Sequence, residues 1–138
     1  MENGVYVNCD GGARGNPGPA AAAFVVRRGN KTLHRHAEFI GETTNNVAEY
    51  KAVVAALNWL MKNQLNIIEN EIIIFMDSEL INKQLLGVYK TKNIDLKKLH
   101  ETAILIESKI NKILFYKLIP REKNTNADYL VNEILKYY

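Results

Sequence analysis

The chain has one cysteine, Cys9, in 138 residues, so no disulfide can close within it. A lone thiol suits a reducing compartment, and a cytoplasmic location is expected. No apolar run approaches the roughly 20 residues of a membrane-spanning helix, which argues against a membrane partner. The opening Met1-Glu2-Asn3-Gly4 has neither a basic segment nor a hydrophobic one, so no secretory leader is expected. Linkers, internal repeats and low-complexity tracts are missing too. One domain over 1–138, standing alone as a monomer, is the simplest organisation. No Cys/His set has the spacing of a zinc site.

Charge is present but uneven. Residues 1–80 carry seven Lys and Arg against nine Asp and Glu, whereas residues 81–138 carry eleven against six. A basic second part suits a polyanion such as nucleic acid, through counterion release. A lysine-rich solvated surface gives the same count.

The hydrophobic pattern changes period along the chain. Val5, Val7 and Cys9 alternate with Tyr6, Asn8 and Asp10, which predicts a strand ending at Asp10. Gly11 to Pro19 reads as a glycine- and proline-rich turn, Ala20 to Arg28 as a second strand, and Gly29-Asn30 as a hairpin signal leading to a third strand at Thr32 to Ile40. Tyr50, Val53, Val54, Leu57, Leu60 and Met61 then recur at helical spacing, with Thr44 or Asn45 as N-cap. Ile72 to Met76 is a continuous apolar run, read as a strand covered on both faces. Ser78 can cap a short helix that Gly87 ends. Leu96, Leu99, Ala103, Ile106 and Ile110 mark another helix, Ile113 to Ile119 a strand stopped by Pro120, and a last helix starts near Thr125. The order βββαβααβα predicts an α/β domain with a mixed five-stranded sheet, an antiparallel hairpin plus parallel strands, flanked by helices.

Four carboxylates stand out against this frame. Asp10 ends the first strand and Asp77 follows the apolar run of the fourth, and parallel neighbours would bring them together at the sheet end where ligands collect. Glu49 borders the apolar stripe of the long helix, and Asp128 lies in the first turn of the last helix. Each has an ordinary structural explanation as a turn, capping or surface residue. As a set they repel one another unless a cation intervenes, and carboxylates alone suit Mg²⁺ or Mn²⁺.

Four segments then resemble one family, the type 1 ribonucleases H. They are Asp10-Gly11-Gly12-Ala13-Arg14-Gly15-Asn16-Pro17-Gly18-Pro19-Ala20, Thr43-Thr44-Asn45-Asn46-Val47-Ala48-Glu49-Tyr50, Asp77-Ser78, and Asn124 with Ala127, Asp128 and Asn132. They fall in the family's order over essentially the whole chain. The resemblance implies a ribonuclease H-like fold and an endonuclease that hydrolyses the RNA strand of RNA–DNA hybrids. It implies two Mg²⁺ ions, with Mn²⁺ as a substitute, on Asp10, Glu49, Asp77 and Asp128, and products ending in 5′-phosphate and 3′-hydroxyl. Asp10 would bridge the ions and Asp128 would be the most mobile ligand. Substrate contacts are then expected from Gly11, Gly12, Ala13, Arg14, Asn16, Thr44, Asn45, Asn46, Ser78 and Glu79.

The chain departs from the family pattern in three places. Glu79 stands where many members have glutamine, adding negative charge beside the RNA path. The basic protrusion that carries tryptophan in many members is reduced to Val88–Asp95 with Lys90 and Lys92, followed by Lys97 and Lys98, while the only tryptophan, Trp59, lies elsewhere. This matches handle-less members, some of which also accept double-stranded RNA. The loop 120–126 lacks the histidine associated with product release; Arg121 stands in its place, and His34, His36 and His100 are poorly situated to substitute. Arg121 as a partner for Glu122 or another carboxylate is the plainer reading, and Tyr137 and Tyr138 can either pack on the sheet or fray.

Two other functions share these features. A non-catalytic hybrid-binding module would keep the fold without cleaving, although all four acidic positions are filled. Integrases and junction resolvases use the same fold on other substrates, so the fold alone does not name the substrate.

Overall fold

The computed structural model describes residues 4–138, so the expectation drawn from Met1-Glu2-Asn3 lies outside the described residues. Strands β1 (Val5–Ala13), β2 (Gly18–Arg28) and β3 (Lys31–Thr43) come first, followed by α1 (Asn45–Asn63) and β4 (Glu71–Met76). Helices α2 (Glu79–Leu85) and α3 (Ile94–Glu107), strand β5 (Ile113–Leu118) and helix α4 (Thr125–Leu135) complete the chain. The sheet order is β3-β2-β1-β4-β5. The first three strands pair antiparallel, and β4 runs parallel to both β1 and β5. This is the mixed five-stranded arrangement that the element order predicts.

One sheet face carries the main core. Val5, Val7 and Cys9 of β1, Phe24 and Val26 of β2, and Ile72, Ile74 and Met76 of β4 pack with Tyr50, Val53, Leu57 and Leu60 of α1. Each such side chain contributes roughly 1.5–3 kcal/mol when fully buried. The Tyr50 hydroxyl is satisfied by donating to Gln84 Oε1 at 2.7 Å, which ties α1 to α2. On the opposite face, α4 sets Val131 and Leu135 against Ala21 and Ala23. The alanines of β2 give this helix room to lie close to the sheet.

Helix α4 packs on β1, β2 and β3, and no contact with β4 or β5 of comparable extent accompanies it among the described residues. The run Ile72–Met76 is therefore covered on one face only: Ile72, Ile74 and Met76 are buried, while Ile73 and Phe75 stay half-buried. Apolar composition signals burial but does not specify how many faces are covered. The first strand also runs past Asp10 to Ala13, because β2 pairs with it along its whole length, and only residues 14–17 are left for the turn. The third strand extends to Thr43 for the same reason. Ser78 caps α2, and Gly87 follows that helix with φ +77°, while Ile110 is buried beyond the end of α3. No helix of the described residues is long and apolar enough to cross a membrane.

Candidate active site

The parallel ladder between β1 and β4 ends at the pair Asn8 and Phe75. Two residues farther along each strand lie Asp10 and Asp77, side by side at the carboxyl end of β4. Glu49 arrives from α1, one turn after the N-cap Thr44, whose Oγ1 accepts from Val47 N at 3.2 Å. A carboxylate oxygen from each of Asp10, Glu49 and Asp77 lies within 4.8 Å of the other two. Asp128 enters from the first turn of α4 and lines the same cleft of about 290 Å³, together with Gly11, Gly12, Ala13, Arg14, Asn45, Arg121 and Asn132.

Gly11 makes this approach possible. A Cβ there would stand 2.2 Å from the carbonyl carbon and oxygen of Ala48 and 2.6 Å from Glu49 N. Only glycine lets β1 run this close to α1, and the closeness brings Glu49 to Asp10.

Burial pushes the Asp10 carboxyl up to about 7, helped by the charges of Asp77 and Asp128. Glu49 is also held well above its ordinary value, again first by desolvation and then by Asp10 and Asp77, while Arg121 acts in the opposite sense. Clustered carboxylates behave this way when their charges lack a counterion. The donor set consists of hard oxygens at the mouth of a small polar cleft, which fits a divalent cation of the Mg²⁺ or Mn²⁺ class.

Two anchoring patterns surround the cluster. Asn132 Nδ2 donates to Asp128 Oδ2 at 3.2 Å, and Arg121 Nη2 stands 3.8 Å from Asp128 Oδ1. Asn124, fully buried, donates from Nδ2 to Asp77 Oδ2 and to Cys9 O, both at 2.8 Å. Sequence reading assigned Asn124 no role and passed over Asn8, the residue behind it. The signal was a polar side chain, Asn8, in a buried strand on the same face as Asp10.

The other expected residues take definite positions. Asn45 Oδ1 accepts from Ala13 N at 2.8 Å, and Asn16 Oδ1 accepts from Asn45 N at 2.9 Å, locking the β1–β2 turn to the start of α1. Arg14 Nε donates to Leu135 O at 3.3 Å, and Asn46 is exposed on the first turn of α1. Ser78 Oγ accepts from Ile81 N at 3.3 Å, so it caps a helix. Glu79 accepts from the Tyr89 hydroxyl at 3.0 Å and borders a neighbouring depression with Asp77 and Arg121. The histidines lie away from the cleft: His34 stacks on Trp59 with ring centroids 5.0 Å apart, and His100 Nδ1 is 3.0 Å from Thr91 Oγ1. Cys9 is buried and unpaired, and burial raises its thiol far above the usual range.

Comparison with known proteins agrees with this geometry. Residues 8–134 match the family model described as reverse transcriptase-like. The chain is 38% identical over 133 residues to the bifunctional protein Rv2228c of Mycobacterium tuberculosis, covering 95% of this chain and 35% of that protein. It therefore spans about a third of the length of that relative. Ribonuclease HI of Halobacterium salinarum is 36% identical over 132 residues, covering 95% of this chain and 64% of that protein. The structure of LC11-RNase H1, isolated from compost by a metagenomic approach, superposes with TM-score 0.90 at 44% identity, covering 98% of this chain and 97% of that one. The same RNase H1 in complex with an RNA/DNA hybrid gives TM-score 0.87 at 45% identity, covering 94% of each chain. With a family model spanning nearly all of the sequence and a near-complete match to RNase H1, the chain belongs to the type 1 ribonuclease H family.

Proposed function

We propose that the protein is an endonuclease that hydrolyses the RNA strand of RNA–DNA hybrid duplexes. The observation that carries this reading is the convergence of Asp10, Glu49 and Asp77 oxygens within 4.8 Å of one another, beside a cleft that Asp128 also lines. Those four residues would hold two Mg²⁺ ions, or Mn²⁺ in their place. When bound, such ions supply an activated water and charge neutralisation for in-line phosphodiester cleavage, leaving 5′-phosphate and 3′-hydroxyl ends.

The chain's own residues supply position and selectivity. Gly11 and Gly12 offer only backbone atoms to the cleft, which a nucleic-acid backbone would approach there. Asn16 and Asn45 have their carbonyl oxygens committed to backbone donors. Their remaining N–H groups suit 2′-hydroxyls and minor-groove acceptors, which only the RNA strand offers in this combination. Asn46, Ala13 and Arg14 extend that surface, and Thr44 at the N-terminus of α1 suits a phosphate of the DNA strand. Ser78 and Glu79, directly after Asp77, would flank the RNA strand. Arg121, largely exposed and beside Asp128, would bind the scissile or released phosphate.

The test is cleavage of sequence-matched RNA–DNA, RNA–RNA and DNA–DNA duplexes with and without Mg²⁺. Mg²⁺-dependent cutting of the hybrid, lost in a folded Asp77→Asn protein, is expected. Undiminished cutting by Asp77→Asn, or binding without any cleavage, would overturn the reading. Cleavage of the RNA–RNA duplex would extend the substrate range to that duplex.

A further inference from the structure

A chain of polar contacts runs from the sheet interior to Asp77. Arg27 Nε donates to Asn8 Oδ1 at 3.1 Å, Asn8 Nδ2 donates to Asn124 Oδ1 at 3.0 Å, and Asn124 Nδ2 donates to Asp77 Oδ2 and Cys9 O. Asn8 and Asn124 are both buried, at 3% and 0% exposed. Asn126 Nδ2 approaches the same Asn8 oxygen at 3.4 Å.

The direction of this chain is set at its far end. An asparagine amide can present its oxygen or its NH₂ toward a neighbour, but a guanidinium can only donate. Arg27 therefore fixes the Asn8 oxygen toward itself and the Asn8 NH₂ toward Asn124. That in turn fixes the Asn124 oxygen toward Asn8 and both of its N–H donors toward Cys9 O and Asp77. Arg27 is anchored independently: Nη1 donates to Gly29 O at 3.1 Å, and the guanidinium lies 4.8 Å from the Tyr6 ring centroid.

We propose that Arg27, Asn8 and Asn124 form a buried positioning relay that holds Asp77 with one oxygen engaged and the other presented to the cation cleft. The three are positioning residues and touch neither substrate nor cation. Asn124 also binds the two elements that carry the other carboxylates. It grips β1 through Cys9 O, next to Asp10, and its own carbonyl accepts from Asp128 N at 3.1 Å in the first turn of α4. The buried side-chain amide thus ties Asp77 to the strand that carries Asp10, while the backbone carbonyl of the same residue opens the helix that carries Asp128. Outer partners that orient metal-binding side chains typically contribute tenfold to a hundredfold in affinity or activity.

This inference rests on the cation reading of the cleft, and the experiment separates the two. Mn²⁺ affinity is measured by calorimetry, and kcat and KM on a hybrid are measured well below the melting temperature, for the wild type, Asn124→Ala and Arg27→Gln. Asn124→Ala is expected to weaken Mn²⁺ binding by about tenfold or more and to lower kcat, with KM within about twofold. Arg27→Gln is expected to weaken Mn²⁺ binding by a smaller factor. Removing a positive charge would by itself tighten cation binding, so weakening has the sign only the relay predicts. Arg27 is half-buried, so its variant decides the matter if Asn124→Ala does not fold. Wild-type Mn²⁺ affinity and kcat in a folded variant would overturn the relay while the cleft reading stands. Absence of Mn²⁺ uptake by the wild type would overturn both.

Discussion

Gly11 and Ala48 meet so closely that a methyl group on Gly11 would overlap the Ala48 carbonyl, 2.2 Å away. The contact joins the strand carrying Asp10 to the helix carrying Glu49, one residue along in the case of Glu49. Gly11→Ala is therefore expected to move α1 away from β1. Overpacking of this kind costs about 1–3 kcal/mol. Cleavage activity should fall by about a hundredfold, since small displacements of reacting groups are that costly. Thermal melting and steady-state cleavage check both effects, and a variant with wild-type activity would show that this contact does not place Glu49.

The raised carboxyls make a prediction about pH. Asp10 titrates near 7 in the folded chain against an ordinary value of 3.8. The folded state thus binds this proton more tightly than the unfolded state. Metal-free protein should lose stability as pH rises from about 4 to above 7, with Glu49 adding in the same direction. The Asp10 contribution is on the order of a few kcal/mol. Added Mg²⁺ should restore the loss, because a bound cation stabilises the ionised forms. Melting curves at pH 5 and pH 8, with chelator or Mg²⁺, test this; a metal-free melting temperature that rises with pH would contradict the electrostatics of the cluster.

Arg121 separates activity from stability. Its pairing with Asp128 is long, 3.8 Å, and its side chain is 80% exposed, so the pair adds little to folding. Arg121 nevertheless lines the cleft and opposes the upward shift of Glu49. Arg121→Ala should leave the melting temperature within about 1–2 °C, consistent with an exposed ion pair, and lower kcat by roughly tenfold to a hundredfold, the scale of a lost charge-assisted contact. An unchanged kcat would remove Arg121 from the proposed phosphate contacts.

The carboxy-terminal tyrosines are not equivalent. Tyr138 stacks on Phe39 of β3 with centroids 4.1 Å apart and planes 4° from parallel, whereas Tyr137 is 80% exposed. Tyr138→Ala should cost about 0.5–1.5 kcal/mol, and Tyr137→Ala less, with cleavage unchanged in both. Denaturant titration distinguishes the two, and equal losses would mean that the stack does not hold the terminus.

Most of the fold was legible because hydrophobic period reports local structure directly. The stripe through Tyr50, Val53, Leu57 and Leu60 became α1, and the Thr44 and Ser78 caps fell where a side-chain oxygen meets unpaired amides. The acidic residues were legible one by one because each breaks or borders an apolar pattern: Asp10 and Asp77 follow apolar strand residues, Glu49 edges the helical stripe, and Asp128 lies in the first turn of α4. Their meeting followed once β1 and β4 were parallel neighbours.

The sequence by itself determined the elements, their order and the carboxylates on them, since periodicity, capping and turn chemistry act over a few residues. The tertiary structure alone decided the rest. That β1 continues past Asp10 depended on its pairing with β2, and that Ile73 and Phe75 stay partly open depended on how far α4 reaches. The roles of Asn8, Arg27 and Asn124 arise from contacts across 19 and 116 positions of sequence. An amide has the same chemistry anywhere in a chain, and only burial beside particular partners makes its orientation matter.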